Sequence, residues 1–126
     1  MTPPLPADTN SLEKIFHEPN RLAIMSAVCA APDGISFRDL KTTCSLTDGN
    51  LSRHLKVLEE SRVIRAEKRF VDAMPRTTIH LSKTGLARFH DYLATLSQFL
   101  KAAQRALPAS SNPRRKISSG AINPNT

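Results

Sequence analysis

Tryptophan is absent from this 126-residue chain, and it has only one tyrosine and five phenylalanines. With so few rings, aliphatic side chains must build the core. Two cysteines, Cys29 and Cys44, are too few for a disulfide framework and are expected as thiols in a reducing compartment. His17, His54, His80, His90 and the two cysteines are scattered, with neither CxxC nor HExxH spacing, so no metal or cofactor is expected. The chain also lacks a glycine-rich phosphate loop, a nucleophile elbow and paired carboxylates, which argues against an enzyme. No apolar run is long enough to cross a bilayer. The opening Met1-Thr2-Pro3-Pro4-Leu5-Pro6 has no basic stretch leading into an apolar one, so it is not a secretory signal. A cytoplasmic protein is the expectation.

Acidic residues are missing from one region altogether. After Asp91 there are none, but there are five bases: Lys101, Arg105, Arg114, Arg115 and Lys116. The net charge of +7 therefore reflects mainly a basic C-terminal segment. Residues 1–91 carry thirteen bases and eleven acids, a surplus of two. Bulk charge does not identify a nucleic-acid partner here, so the placement of individual charges must do so.

Three prolines and no periodicity mark residues 1–10 as a disordered tail. Residues 108–126, rich in Ser, Asn and Pro, read as a second, basic tail, with Arg114-Arg115-Lys116 suited to mobile phosphate contact. Residues 11–107 form one domain without internal repeats. Ser11 suits the cap of a short helix bearing Leu12, Ile15 and Phe16. Pro19 suits the first turn of a second helix, with Leu22, Met25, Val28 and Cys29 on one face. Ala31-Pro32-Asp33-Gly34 ends it, and Ile35 is a lone extended residue. Ser36 caps the next helix, with Phe37 and Leu40 facing inward. After the turn Thr43-Cys44-Ser45-Leu46, Thr47 caps a helix over residues 48–61. Val63–Val71 and Arg76–Leu81 read as two strands around the turn Asp72-Ala73-Met74-Pro75. Ser82 caps a long last helix over residues 83–107. The fold expected is mainly α with a small β-hairpin: a winged helix-turn-helix with a long C-terminal dimerisation helix.

Four fragments carry a resemblance. Pro19-Asn20-Arg21-Leu22-Ala23-Ile24 resembles the start of the core helix in winged-helix regulators of the MarR and ArsR type. The segment from Leu46 to Leu55 resembles their recognition helix. Leu58-Glu59-Glu60-Ser61-Arg62-Val63-Ile64 resembles the entry to their wing, and the segment from Pro75 to Gly85 resembles the returning strand and last-helix start. The resemblance spans roughly residues 12–100 and implies a DNA-binding regulator, usually dimeric. The cysteine-rich metal motif of arsenic and cadmium sensors is missing, and the chain is short for a drug-responsive regulator. A small-molecule effector is left unassigned.

A helical step of 100° per residue sorts the side chains of the 48–61 helix. Leu51, Leu55 and Leu58 share an inward stripe. Gly49, Arg53 and Lys56 point away from it, with Asn50 and Ser52 on the flanks. Arg can bind guanine, and Asn adenine, through two hydrogen bonds each. Gly49 lets the backbone approach DNA closely. An ordinary solvated helix face would show the same pattern, and only the neighbouring turn and hairpin favour groove reading. His54 lies nearer the apolar flank, where it can reach a phosphate or pack against the helix-turn-helix, and packing is preferred. On the hairpin, Arg65, Lys68, Arg69 and Arg76 can touch phosphates or the minor groove, with Arg76 also matching the family pattern. Arg38, Lys41 and Thr47 are further phosphate candidates. Double-stranded DNA is thus the expected partner, with transcriptional regulation as the function. The alternative is a winged-helix module that binds protein. Leu86, Phe89, Leu93, Leu96, Leu100, Ala103 and Leu107 recur at spacings of three and four, widened by Tyr92 and Phe99, as in a seam between two copies; the alternative is a helix folded back on its own domain. Cys44, beside the helix-turn-helix turn, is a candidate redox switch.

Overall fold

The computed structural model describes residues 12–108. The Ser11 cap, the first tail, the second tail after Pro108 and with it the Arg114-Arg115-Lys116 cluster lie outside the described residues. Four helices and three strands follow in the order α1 (Pro19–Cys29), β1 (Ile35–Ser36), α2 (Phe37–Cys44), α3 (Asp48–Glu60), β2 (Ile64–Val71), β3 (Met74–Leu81) and α4 (Lys83–Ala106).

Residues 12–18 do not form the expected short helix. They make one turn, in which the N–H groups of Phe16 and His17 both donate to Glu13 O, at 3.1 and 3.0 Å. Pro19 explains the correction. It drives the preceding residue out of the helical region, and Glu18 is extended at φ −148°, ψ 130°. Glu18 instead caps α1, accepting from the Arg21 backbone N–H at 2.7 Å. Ile24, Met25 and Val28 of α1 are buried, while Leu22 and Cys29 are half-buried. Ile24 lay off the expected face. The helix packs against α2, α3 and β3, so more than one side of it is covered.

Ser36 and Thr47 cap α2 and α3 as anticipated, accepting from Asp39 N–H at 3.0 Å and Asn50 N–H at 3.2 Å. Between these helices Ser45 adopts φ 55°, the left-handed conformation that reverses a chain sharply. Ile35 is more than an isolated extended residue. With Ser36 it pairs to Ile79 and Thr78, which makes the sheet three-stranded in the order β1-β3-β2. Gly34, at φ +96°, leads into that strand, and a Cβ there would come within 2.6 Å of the His80 ring.

The hairpin is longer than the sequence suggested. Met74 and Pro75 belong to β3, opposite Val71 and Phe70, and the turn shrinks to Asp72-Ala73. Both turn residues have positive φ (54° and 64°), the signature of a type I′ hairpin turn. In such a hairpin the pair flanking the turn exchanges hydrogen bonds and the next pair does not. Pro75 occupies that next pair, on the stretch of β3 beyond the reach of β1. Its missing N–H therefore costs no sheet bond.

The core joins Ile24, Met25, Val28, Leu40, Leu51, Leu58, Val63 and Ile79 to an aromatic corner. There Phe16 is fully buried against Phe89 and Tyr92, with ring centroids 5.3 and 5.5 Å away. Arg88 on α4 reaches both Glu13 carboxylate oxygens and donates to Ser61 O at 3.0 Å, which pins residues 12–18 across α4. Phe89, read above as part of the dimer seam, is therefore 3% exposed inside its own domain. Tyr92 is buried with it, and Leu96 is partly packed on the same core. Helical spacing could not separate the two faces of α4, because apolar residues occupy both.

Candidate nucleic-acid interface

The helix-turn-helix is α2 and α3. Lys41 Nζ lies 2.8 Å from Asp48 Oδ1 and ties the end of α2 to the start of α3. Lys41, a weaker phosphate candidate in the sequence, is therefore engaged within the motif. Leu51, His54, Leu55 and Leu58 fill the inner face of α3. The outer face is free: Gly49, Asn50, Ser52, Arg53 and Lys56 are all exposed. Arg53 Nη2 donates to Asn50 Oδ1 at 3.4 Å, so the two longest hydrogen-bonding groups near the helix start lie side by side. Around Gly49 nothing lies within 4 Å of where a Cβ would stand, so packing within the chain does not demand glycine there.

His54 is 4% exposed, in the packing role expected of it. Its Nδ1 lies 3.3 Å from Arg21 Nη1. A guanidinium can only donate, so Nδ1 accepts and the ring proton sits on Nε2. Nε2 is buried with no partner among the described residues. Burial pushes the imidazole below its ordinary pKa of 6.5; Glu18 opposes that shift, and Arg53 and Arg21 reinforce it. Arg21 also donates to Ile15 O at 2.6 Å, so one side chain holds residues 12–18, α1 and α3 together.

The wing is β2, β3 and their turn. Arg69 and Arg76 face each other across the strands, a like-charge pairing that costs stability unless an anion or acid offsets it. Glu67 offsets Arg69, at 3.1 Å. The His80 hydrogen bond holds the Glu67 carboxyl below the usual carboxylate range, aided by Arg69 against a smaller opposing effect of burial. Lys68, Arg69 and Arg76 are exposed, as is Arg65. Arg38, exposed near the start of α2, and Arg76 line one surface cleft of about 590 Å³ between α2 and the distal part of the wing. The structure thus gathers the sequence candidates into two groups. Thr47, Gly49, Asn50, Ser52, Arg53 and Lys56 form one on α3, and Arg38, Lys68, Arg69 and Arg76 form the other around the wing.

Residues 20–100 match the family of winged helix DNA-binding domains. The chain belongs to that family. This winged helix domain is also 33% identical to the uncharacterized protein MJ0432 of Methanocaldococcus jannaschii over 88 residues, which covers 70% of this chain and 95% of that one. Among solved structures it is similar to a transcriptional regulator homologue from Pyrococcus horikoshii OT3, with 25% identity and a TM-score of 0.68 over 78% of this chain and 95% of that one. The Staphylococcus aureus MepR–DNA complex shares the fold, with 19% identity and a TM-score of 0.65 over 87% of this chain and 86% of that one. The winged-helix fold and its long C-terminal helix, expected from the order of elements, are the fold observed.

The burial of Cys44 and an open wing tip escaped the sequence reading of this winged helix domain. Burial pushes both thiols, Cys29 and Cys44, above their ordinary pKa and away from the reactive thiolate, which weakens the case for a switch at Cys44. The wing tip is apolar and open: Phe70 is 80% and Met74 67% exposed. Strand alternation puts Phe70 on the same side as the buried Ile64, so no sequence pattern marked it as uncovered.

Proposed function

We propose that this chain is a sequence-specific double-stranded DNA-binding regulator of transcription that acts as a homodimer. The carrying observation is the two-faced recognition helix α3: a fully packed inner face and an outer face bearing Asn50, Ser52, Arg53 and Lys56. A helix of that kind fits the major groove, where Arg53 and Asn50 can each make two hydrogen bonds to a base edge. Gly49 lets the first turn approach closely. The Thr47 hydroxyl accepts the cap hydrogen bond and keeps its own proton to donate to a phosphate. Lys56, Arg38, Lys68, Arg69 and Arg76 supply backbone contacts, which position the protein without reading sequence. A regulator of this type works where the chromosome is, which for this reading is the cytoplasm.

The homodimer rests on α4. With Phe89 spent on the domain's own core and Leu96 partly so, the remaining stripe on α4 is Leu86, Leu93 and Leu100, continued by Leu107 at the helix's C-cap. These recur every seven residues and are 54%, 42%, 54% and 61% exposed. A heptad row of open leucines is relieved by a second copy of itself. Two recognition helices would then read inverted half-sites about 10 base pairs apart, or a multiple of that. Replacing Leu93 and Leu100 by Asp should give monomers in sedimentation, and a wild type already monomeric at tens of micromolar would end the dimer reading.

The test of function is selection of bound sequences from a random duplex pool, followed by titration across salt. A recovered motif with salt-sensitive affinity supports the reading, because phosphate contacts release counterions. Failure to bind any duplex at low salt would leave a protein-binding winged helix in its place.

A further inference from the structure

The wing departs from a plain basic hairpin at its tip. Ala66 and Ile79 are the outermost pair anchored on the core, and β2 runs five residues further, to Val71. At about 3.3 Å per residue the tip stands roughly 16 Å beyond that anchor. Its apolar groups are shown to solvent: Phe70 on one face, Val71 and Met74 on the other, with Pro75 opposite Phe70. Exposing them costs free energy and gains nothing for the fold, because Phe70 touches no core cluster. The tip is held narrow by the two-residue Asp72-Ala73 turn.

We propose that this tip is an apolar wedge for duplex DNA: Phe70 enters the minor groove and partly unstacks a base step, while Arg69 and Arg76 hold the phosphates beside it. The inference rests on the DNA-binding reading above and adds a deformation to it. The charge around the tip still favours a polyanion: Lys68, Arg69 and Arg76 outnumber Glu67, which pairs with Arg69, and Asp72 at the turn. Arg69 and Arg76 oppose each other three residues from the turn; Glu67 answers Arg69, and a phosphate would answer Arg76. The minor groove is about 6 Å wide, too narrow for a helix but open to a single ring on a slender hairpin. Phe and Met are among the side chains that wedge base steps apart and kink the duplex. Flexible pyrimidine–purine steps resist such unstacking least, so the tip would add a preference for them without hydrogen-bonding to any base.

The experiment uses the full chain and duplexes of roughly 30 base pairs carrying a sequence recovered from the random pool, labelled at both ends for energy transfer. Wild type should shorten the end-to-end distance on binding. Phe70→Ala should bind about tenfold more weakly, leave the duplex nearly straight and keep the wild-type salt slope. Phe70→Leu, which keeps a wedge, should retain most of the bend. Arg76→Ala should flatten the salt slope and keep the bend. Because Phe70 is 80% exposed, these variants should fold, and circular dichroism checks that. Equal affinity and equal bending by Phe70→Ala would overturn the wedge and leave the regulator reading standing. So would a change in sedimentation state with unchanged DNA contact, which would make the tip an interface between copies. A wild type that binds no duplex would overturn both.

Discussion

The recognition helix and the wing are held in opposite ways. Four buried side chains lock α3 into the domain, so its outer residues have fixed directions. The wing leaves the core after Ala66 and Ile79 and is held mainly by cross-strand pairing, with its distal part bordering the cleft beside α2. A rigid helix suits reading of base edges, where an error of an ångström loses a hydrogen bond. A projecting hairpin suits contact with a backbone that is the same at every step. On the proposed function, one chain separates reading from anchoring by how firmly each element is packed.

The largest test of that contrast is stability. Leu58→Ala, at a fully buried α3 position, should cost about 2–5 kcal/mol in denaturant unfolding. Met74→Ala at the wing tip should stay within about 0.5 kcal/mol. Comparable losses at both sites would mean that the wing is packed after all. On binding, Arg53→Ala should cost about 1–3 kcal/mol on the preferred duplex and relax one base position. Arg76→Ala should weaken preferred and scrambled duplexes alike. If Arg53→Ala binds as wild type does, the reading face has been assigned to the wrong residues.

Gly49 sharpens the comparison further. Open space surrounds it on an exposed helix, so Gly49→Ala should raise stability by about 0.5–1 kcal/mol. The same change should weaken duplex binding, because a Cβ would stand where the backbone meets DNA. Gains in both would show that the first turn of α3 does not approach DNA closely. The smallest effect expected concerns pH. The folded His54 holds its proton less tightly than the unfolded chain does, so the unfolded state binds more protons as pH falls through 6.5. Stability should therefore drop with acid below that value, and this part of the drop should vanish in His54→Leu. Thermal melts from pH 7.5 to 5 on both proteins would check it, and identical slopes would remove His54 as the cause.

Helix phases, caps and the order of elements were legible because each depends on near neighbours. Thr47 meets Asn50, Ser36 meets Asp39 and Ser82 meets Gly85, all three residues apart, and the leucines of α3 follow one helical period. The outer face of α3 could be named for the same reason. The wing was legible as a hairpin but not in its full length, since Pro75 is acceptable in β3 only where β1 has already ended. Burial was the harder quantity, because it depends on what arrives from far along the chain. The Arg88–Glu13 contact closes 75 residues of sequence, and it is this closure that lays Phe16 over Phe89. The sequence by itself determined which residues could face inward on α3, α4 and the wing. Only the tertiary structure decided that Phe89 is covered, while Leu93 and Phe70 are left open, because covering a side chain requires a second surface that local spacing does not specify.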